Sequence, residues 1–337
     1  MDPEDLYSTL VDEMNAVLIG SDDVVEGITT SLLTRGHILL EGVPGVAKTT
    51  IANSFARATG LGFRRIQMTP DLLPADITGT HVYREGTGEF ELQRGPIFTN
   101  LLVADEINRA TPKTQSALLE GMQERTVTIE GDTLSLPSPF MVIATQNPIE
   151  MEGTYELPEA QRDRFQCKLT VGIPSTEDEL KLIDRFDATP QLDPTDISQV
   201  IDLDDILTAQ EQVESVYVAD PVKRYIQSIV DSTRTHSDLE HGGSPRATLA
   251  LLRTSKARAA IHGREYVIPD DVKEVVVAVM RHRLVLSTEA ELSDRSPVEI
   301  IDELLDSIEP PNGVTAPDTA EVSASSDGGR PDPSNDD

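Results

Sequence analysis

Five short stretches of this 337-residue chain carry residue types that together could handle a polyphosphate. GVPGVAKT, at 42–49, nearly fits the phosphate-loop pattern G-x-x-x-x-G-K-[ST], with Ala47 where glycine is usual. The loop (Gly42, Pro44, Gly45, Val46, Ala47, Lys48, Thr49 and Thr50) opens a helix, and backbone amides there can cradle phosphate oxygens. Lys48 would reach the β- and γ-phosphates, and the Thr49 hydroxyl would bind Mg2+. Alanine supplies the same N–H as glycine. At a helix start it is expected to need no left-handed backbone, which leaves the tight turns to Gly42 and Gly45.

LLVADE places Asp105 and Glu106 after four apolar residues, at the C-terminal end of a buried strand where open α/β sheets bind ligands. Asp105 would hold Mg2+, usually through water, and Glu106 would orient and deprotonate an attacking water. Asn147, where VIATQNP ends, can hydrogen-bond a γ-phosphate or that water, though a turn residue before Pro148 would look the same. Arg162 and Arg164 flank Asp163. Either arginine could stabilise transition-state charge on a neighbouring subunit's nucleotide, or both could be spent on surface ion pairs with Asp163 or Glu159. Arg246, in GGSPRATLAL, sits in a helix's first turn, where a cation opposes the dipole unless it meets a phosphate.

Hydrophobic spacing indicates the elements that must position these residues. Residues 3–18 read as an amphipathic helix, and a second runs from Asp22 or Asp23 to about Leu33. GHILLEG, FRRIQMT, Leu101–Ala104, PFMVIATQNP and CKLTVGIP read as five strands, alternating with helices at TTIANSFARATG, PKTQSALLEGMQER and LPEAQRDRF. Hairpins are expected near 80–94, turning at EGTGE, and near 126–137, turning at Glu-Gly-Asp. A parallel three-layer α/β core follows. After Pro174 the strands are expected to cease, and four helical patterns build a second domain. The boundaries read as residues 1–178 for the N-terminal helices and core, 179–309 for the helical domain, and 310–337 for an acidic, apolar-poor tail that is expected to be disordered.

Composition narrows the class. There are 28 basic against 59 acidic residues, a net charge of −31. The acids are spread without long blocks, and lysine is scarce beside arginine. Such a surface suits a salt-rich cytoplasm, where the Debye length shrinks to about 3 Å at 1 M, and points to a halophilic source such as a halophilic archaeon. It argues against nonspecific duplex binding, which needs phosphate-neutralising cations. No apolar run is long enough to span a bilayer, the acidic N-terminus is unlike a signal peptide, and the lone Cys167 excludes an internal disulfide, so a cytoplasmic protein is expected.

The ordered set LLEGVPGVAKT, QMTPDLLPADITG, GPIFTNLLVADEINRATPKTQSALLEGMQE, ATQNPIEMEGTYELPEAQRDRF and GGSPRATLAL resembles the AAA+ ATPases, and more narrowly the MoxR family, over roughly residues 19–262. The resemblance implies a five-stranded sheet ordered 5-1-4-3-2, hairpin insertions and a small all-α lid. It also implies a ring, usually hexameric, that binds ATP or ADP with Mg2+ between subunits. By that likeness Lys48 and Thr49 belong to Walker A, Asp105 and Glu106 to Walker B, Asn147 to sensor 1 and Arg246 to sensor 2. Arg164 in DRF matches the arginine finger, and Arg162 departs from the pattern. Gly20 and Ser21 stand where relatives line the adenine pocket, without the usual glutamine. The implied activity is Mg2+-dependent ATP hydrolysis that drives remodelling or activation of client proteins, commonly ones with von Willebrand factor A domains. Exposed hairpin tips are candidate client contacts. The alternatives are the ATPase subunit of a metal chelatase, which shares the hairpins, and a nucleic-acid ring motor, against which the acidic or mixed tips count.

Overall fold

The computed structural model describes residues 1–86, 88–149, 153–188 and 197–311. Most of the acidic tail and one residue of the first hairpin's tip therefore lie outside the described residues. In chain order, helices α1 (Pro3–Met14) and α2 (Asp22–Leu33) precede strand β1 (Ile38–Glu41), α3 (Lys48–Ala58) and β2 (Phe63–Gln67). Next come α4 (Pro74–Thr78), the hairpin β3–β4 (Gly79–Arg84 and Glu89–Arg94), β5 (Leu101–Asp105) and α5 (Pro112–Glu124). A second hairpin β6–β7 (Thr126–Ile129 and Asp132–Ser135), β8 (Met141–Gln146), α6 (Glu159–Arg162) and β9 (Cys167–Thr170) complete the core. The remainder comprises α7 (Thr176–Ala188), α8 (Leu203–Ser215), α9 (Asp220–Thr235), β10 (Leu239–His241), α10 (Pro245–Ile261), α11 (Pro269–Met280), β11 (Val285–Leu286), α12 (Thr288–Leu292) and α13 (Pro297–Ser307).

The central sheet runs β2-β5-β8-β1-β9 with every pairing parallel, which is the 5-1-4-3-2 order when its strands are counted along the chain. Alternation within each strand builds the layers. Leu101 and Val103 of β5 and Met141 and Ile143 of β8 face one apolar cluster, with α1, α2 and α3. Leu102 and Ala104, with Val142 and Ala144, face the other, which α5 and the second hairpin cover. Each fully buried Leu or Ile contributes about 1.5–3 kcal/mol, so this patterning fixes which side every connecting helix must take.

The helix starts follow local rules. In α1 the Asp2 carboxylate caps the Asp5 amide, Pro3 follows the cap, and Leu6, Leu10 and Met14 recur at helical spacing, all fully buried. The helix stops at Met14, four residues short of its expected end. In the lid, α10 buries Ala247, Ala250, Ala257, Ala259 and Ala260. These small side chains let α1, α2, α8, α9 and α11 all pack against it. Lid, N-terminal helices and one face of the sheet thus share a single apolar cluster extending from Leu6 to Ile301. The lid is helical, but the expectation that strands cease after Pro174 needs correction. β10 and β11 pair antiparallel, Leu239 opposite Leu286. Strands of three and two residues are too short to show a period in sequence.

One buried histidine ties the layers together. His37 accepts from the Val142 amide at Nδ1, 3.0 Å, and Nε2 lies 3.1 Å from the Met122 carbonyl. Both contacts are made by a neutral ring, and burial lowers its pKa to about 3, with nearby Arg125 adding to the effect. The folded state therefore refuses a proton that the unfolded chain accepts below about pH 6.5. Stability is full above that value and is lost as pH falls toward 3, by about 1.4 kcal/mol per unit. His282, also buried, is shifted in the same direction. His37→Gln, which keeps a neutral donor and acceptor, is expected to remove about one proton from the uptake on unfolding between about pH 6 and 4.5. The measurement is the pH dependence of chemical denaturation, and an unchanged slope would show that His37 is not buried neutral.

Candidate active site

The phosphate loop leaves β1 and enters α3 beside the C-terminal ends of β5 and β8. Together they line a cleft of about 420 Å³, formed by Pro44, Gly45, Val46, Ala47, Lys48, Thr49 and Thr50 with Asp105, Glu106 and Asn147. No side chain caps α3, so the amides of its first turn point into the cleft, as an anion site requires. Gly45 takes a positive φ of 89°, and a Cβ there would meet nothing within 4 Å. Gly42 is needed for a different reason: a Cβ would sit 2.8 Å from the Val171 carbonyl oxygen.

Ala47 overturns the expectation drawn from its position. It is the N-cap of α3, with φ 60° and ψ 21°, in the left-handed region. The chain turns there before the helix begins, so glycine's usual presence reflects backbone conformation and not space alone. For alanine this costs about 1 kcal/mol.

The Lys48 ammonium donates to the loop's own carbonyls, Gly42 and, at 3.0 Å, Val43. Burial lowers its pKa, against the opposing pull of Asp105, Glu106 and Glu41. Thr49 Oγ1 donates to Asp105 Oδ2 at 3.3 Å. A hydroxyl and a carboxylate so placed form the all-oxygen pair that a Mg2+ ion accompanying a nucleotide prefers, so these residues fit that ion. Asp105 is 5% exposed, and its other oxygen accepts from Thr145 Oγ1 at 3.1 Å. The same Thr145 oxygen accepts the Glu106 amide at 2.9 Å, so one hydroxyl fixes both acids. Glu106 is also left-handed, φ 56° and ψ 53°, a conformation that costs about 1–3 kcal/mol and is concentrated at functional sites.

Sequence reasoning missed three charged or polar partners. Arg65 Nε pairs with Asp105, Gln67 Nε2 donates to Glu106 Oε2 at 2.7 Å, and Arg109 reaches the same oxygen at 3.1 Å. The signal was present in FRRIQ, where residues two apart share a strand face. Only register, which sets Gln67 opposite Asp105, shows what that face meets. Asn147 is brought to the cleft as expected, and it is also a turn residue, since its Oδ1 accepts the Ile149 amide at 3.2 Å.

The arginines divide. Arg164 and Arg246 line one cavity of about 320 Å³, which shares no lining residue with the phosphate-loop cleft. Arg162 lines a smaller pocket with Glu41, Gln146 and Asn147, on its own subunit's loop side. The expected ion pairs with Asp163 or Glu159 are not formed by either arginine. The Nε of each is buried without a partner among the described residues. Gly20 has φ 68° and abuts Asp178 at the start of α7, so only glycine fits there readily.

Comparison with known proteins agrees with this architecture. The profile of the ATPase family associated with various cellular activities (AAA) matches residues 37–167, and the AAA lid domain profile matches 231–304. The chain is 45% identical to Chaperone MoxR1 of Mycobacterium tuberculosis, over 94% of this chain and 87% of that protein. It is 43% identical to the protein YeaC of Bacillus subtilis, over 91% and 97% respectively. A solved structure of a candidate ATPase from Cytophaga hutchinsonii superimposes with a TM-score of 0.85 at 39% identity, covering 92% of this chain and 96% of that one.

Ala47→Gly is expected to relieve the left-handed alanine and raise stability by about 1 kcal/mol, with nucleotide affinity nearly unchanged. Thermal unfolding and a nucleotide titration check the two halves. A marked loss of affinity would mean that the methyl has a binding role.

Proposed function

The chain belongs to the MoxR family of AAA+ ATPases and hydrolyses ATP, and from that premise we propose that it couples hydrolysis, in a nucleotide-dependent ring, to remodelling or activation of a client protein. The observation that carries the ring is the division of the site. Lys48, Thr49, Asp105, Glu106 and Asn147 share one cleft, whereas Arg164 and Arg246 line a separate cavity. At its own cleft a single subunit offers Lys48 and Arg65, and Arg164 and Arg246, set in the other cavity, are read as cations offered to the cleft of a second copy.

Each residue then has a role. The loop amides and Lys48 bind the β- and γ-phosphates of ATP, and Thr49 and Asp105 hold the Mg2+ that polarises them. Lys48 must first leave the Gly42 and Val43 carbonyls, a small exchange because phosphate offers more negative charge than they do. Glu106 orients and deprotonates the attacking water once it parts from Gln67 and Arg109. Asn147 hydrogen-bonds the γ-phosphate or that water. Arg164 and Arg246 reach the neighbouring subunit's nucleotide, where charge that develops in the transition state meets cations already in place. Arg162 stays with its own subunit's Asn147 pocket.

A hexamer is the ring we favour, and a von Willebrand factor A domain protein is the favoured client class, both on family resemblance. The first hairpin exposes Phe90 at 70% and Tyr83 at 54%, their rings tilted with centroids 5.3 Å apart, an apolar contact suited to a protein client. A net charge of −31 disfavours nucleic acid. No helix among the described residues is long and apolar enough to cross a membrane. A cytoplasmic, salt-adapted setting accounts for the acidic surface.

Lys48→Ala is expected to abolish nucleotide binding, and Glu106→Gln to bind ATP with turnover reduced at least about 100-fold. Arg164→Ala and Arg246→Ala should keep nucleotide affinity but lose turnover. Nucleotide titration and phosphate release read these out, and wild-type turnover in Glu106→Gln overturns the assignment of the water-activating carboxylate. Sedimentation of Glu106→Gln with ATP should show a closed oligomer. Stability should fall as salt is lowered from about 1 M to 0.1 M, as self-repulsion is unscreened. A melting temperature indifferent to salt would remove the salt-adapted reading.

A further inference from the structure

Between Arg162 and Arg164, Asp163 ignores both of its neighbours and reaches across to the lid. Its Oδ1 accepts from Arg283 Nε at 2.8 Å, just beyond α11, and its Oδ2 from Ser244 Oγ at 2.9 Å. Ser244 is the N-cap of α10, and the same Oγ accepts the Arg246 amide at 3.1 Å. A continuous chain of bonds therefore links the residue beside Arg164 to the backbone of Arg246.

The lid holds the following core residues as well. Arg283 donates to the Phe165 carbonyl at 2.6 Å and the Gln166 carbonyl at 3.0 Å, and His282 Nε2 lies 2.9 Å from the Phe165 carbonyl. Residues 163, 165 and 166 are thus fastened to the lid on both sides of Arg164, whose Nε is buried with no partner among the described residues. Among the described residues Asp163 is also the only carboxylate lining the arginine cavity. By pairing with Arg283, which is 3% exposed, it compensates a buried cation that would otherwise repel its neighbours. It leaves Arg164 and Arg246 uncompensated.

We propose that Asp163 is a positioning residue: its carboxylate joins Ser244 and Arg283 of the lid to the core segment bearing Arg164, so that Arg164 and Arg246 are offered to the neighbouring subunit as one rigid pair. This rests on the reading that both arginines act in trans. The bridge spans the junction between core and lid, the place where a hinge would separate the two arginines. A misalignment on the order of 1 Å at a reacting phosphate is costly, up to about 100-fold in rate.

The test uses full-length chains and mixed assemblies. Ser244→Gly removes the bridging hydroxyl but keeps a tolerable N-cap, at a cost of a few tenths of a kcal/mol, roughly. Asp163→Asn removes one acceptor and the charge. Both are expected to bind ATP with unchanged affinity and to lose about 10-fold in turnover as pure assemblies, while Ser244→Thr retains wild-type turnover. Mixed with excess Glu106→Gln subunits, which turn over no ATP themselves but offer intact arginines, Ser244→Gly and Asp163→Asn subunits should recover the turnover that wild-type subunits show in the same mixture. Arg164→Ala, mixed in the same way, is the control. If Arg164→Ala recovers but the bridge variants do not, their defect lies in their own site or fold, and the positioning role is overturned. Bridge variants with wild-type turnover as pure assemblies overturn it equally. If Arg164→Ala itself fails to recover, the trans reading falls and the inference falls with it.

Discussion

The acids of the phosphate-loop cleft and the arginines at 164 and 246 are kept apart within one subunit. Asp105 and Glu106 line the phosphate-loop cleft, and Arg164 and Arg246 line another cavity. Were the four in contact, carboxylate and guanidinium would pair at roughly 4 kcal/mol at 4 Å in a partly screened setting. A nucleotide would then have to break those pairs before it could use either partner. Separation keeps Arg164 and Arg246 off the two acids, which pair instead with Arg65 and Arg109. The lid's placement serves this end, since α10 carries Arg246 on a helix whose alanine face packs against α1 and α2.

The cleft's own charges are not left bare. Lys48 rests on loop carbonyls, Arg65 on Asp105, and Gln67 with Arg109 on Glu106. Each contact satisfies a group that would be costly to desolvate alone, and each is one that nucleotide, metal or water can replace. Their exposure differs in the same sense. Asp105 is deeply buried, while the Arg65 side chain is 52% exposed and free to swing away. The two left-handed residues, Ala47 and Glu106, lie on either side of this network and carry backbone strain that the rigid strands β1 and β5 can sustain.

The strands, the hairpins and the five residues of the cleft were legible in the sequence because each is encoded locally, whereas the sheet order was implied only by the family resemblance. Contiguous apolar strands end in polar residues, and the loop and Walker-type acids are short motifs with fixed spacing. What was not legible depended on register or on tertiary placement. Arg65 and Gln67 looked like the exposed face of a strand until β2 was paired with β5. Ala47 looked like an ordinary helix start, because sequence type says little about a φ imposed by the turn before it. Asp163 looked like a local ion-pair partner for Arg162 or Arg164, the nearest cations in sequence. Its real partners, Ser244 and Arg283, are 81 and 120 residues away and are brought in by the lid.

The overall charge sharpens the meaning of the arginine cavity. In a chain with more than twice as many acids as bases, many arginines find a carboxylate, as Arg84, Arg234, Arg258 and Arg264 do. Arg246 has no side-chain partner among the described residues, and Arg164 has none either, although carboxylates are abundant everywhere else on the surface. A lone acid, Asp163, lines their cavity, and it is already committed to Arg283 and Ser244. Guanidinium groups gathered in one cavity with so little counter-charge repel one another, and association with an anion would relieve that repulsion. In the proposed ring, a neighbouring subunit's cleft bearing a polyphosphate would supply it, and subunits that repel one another at a net charge of −31 would gain an attraction confined to that face.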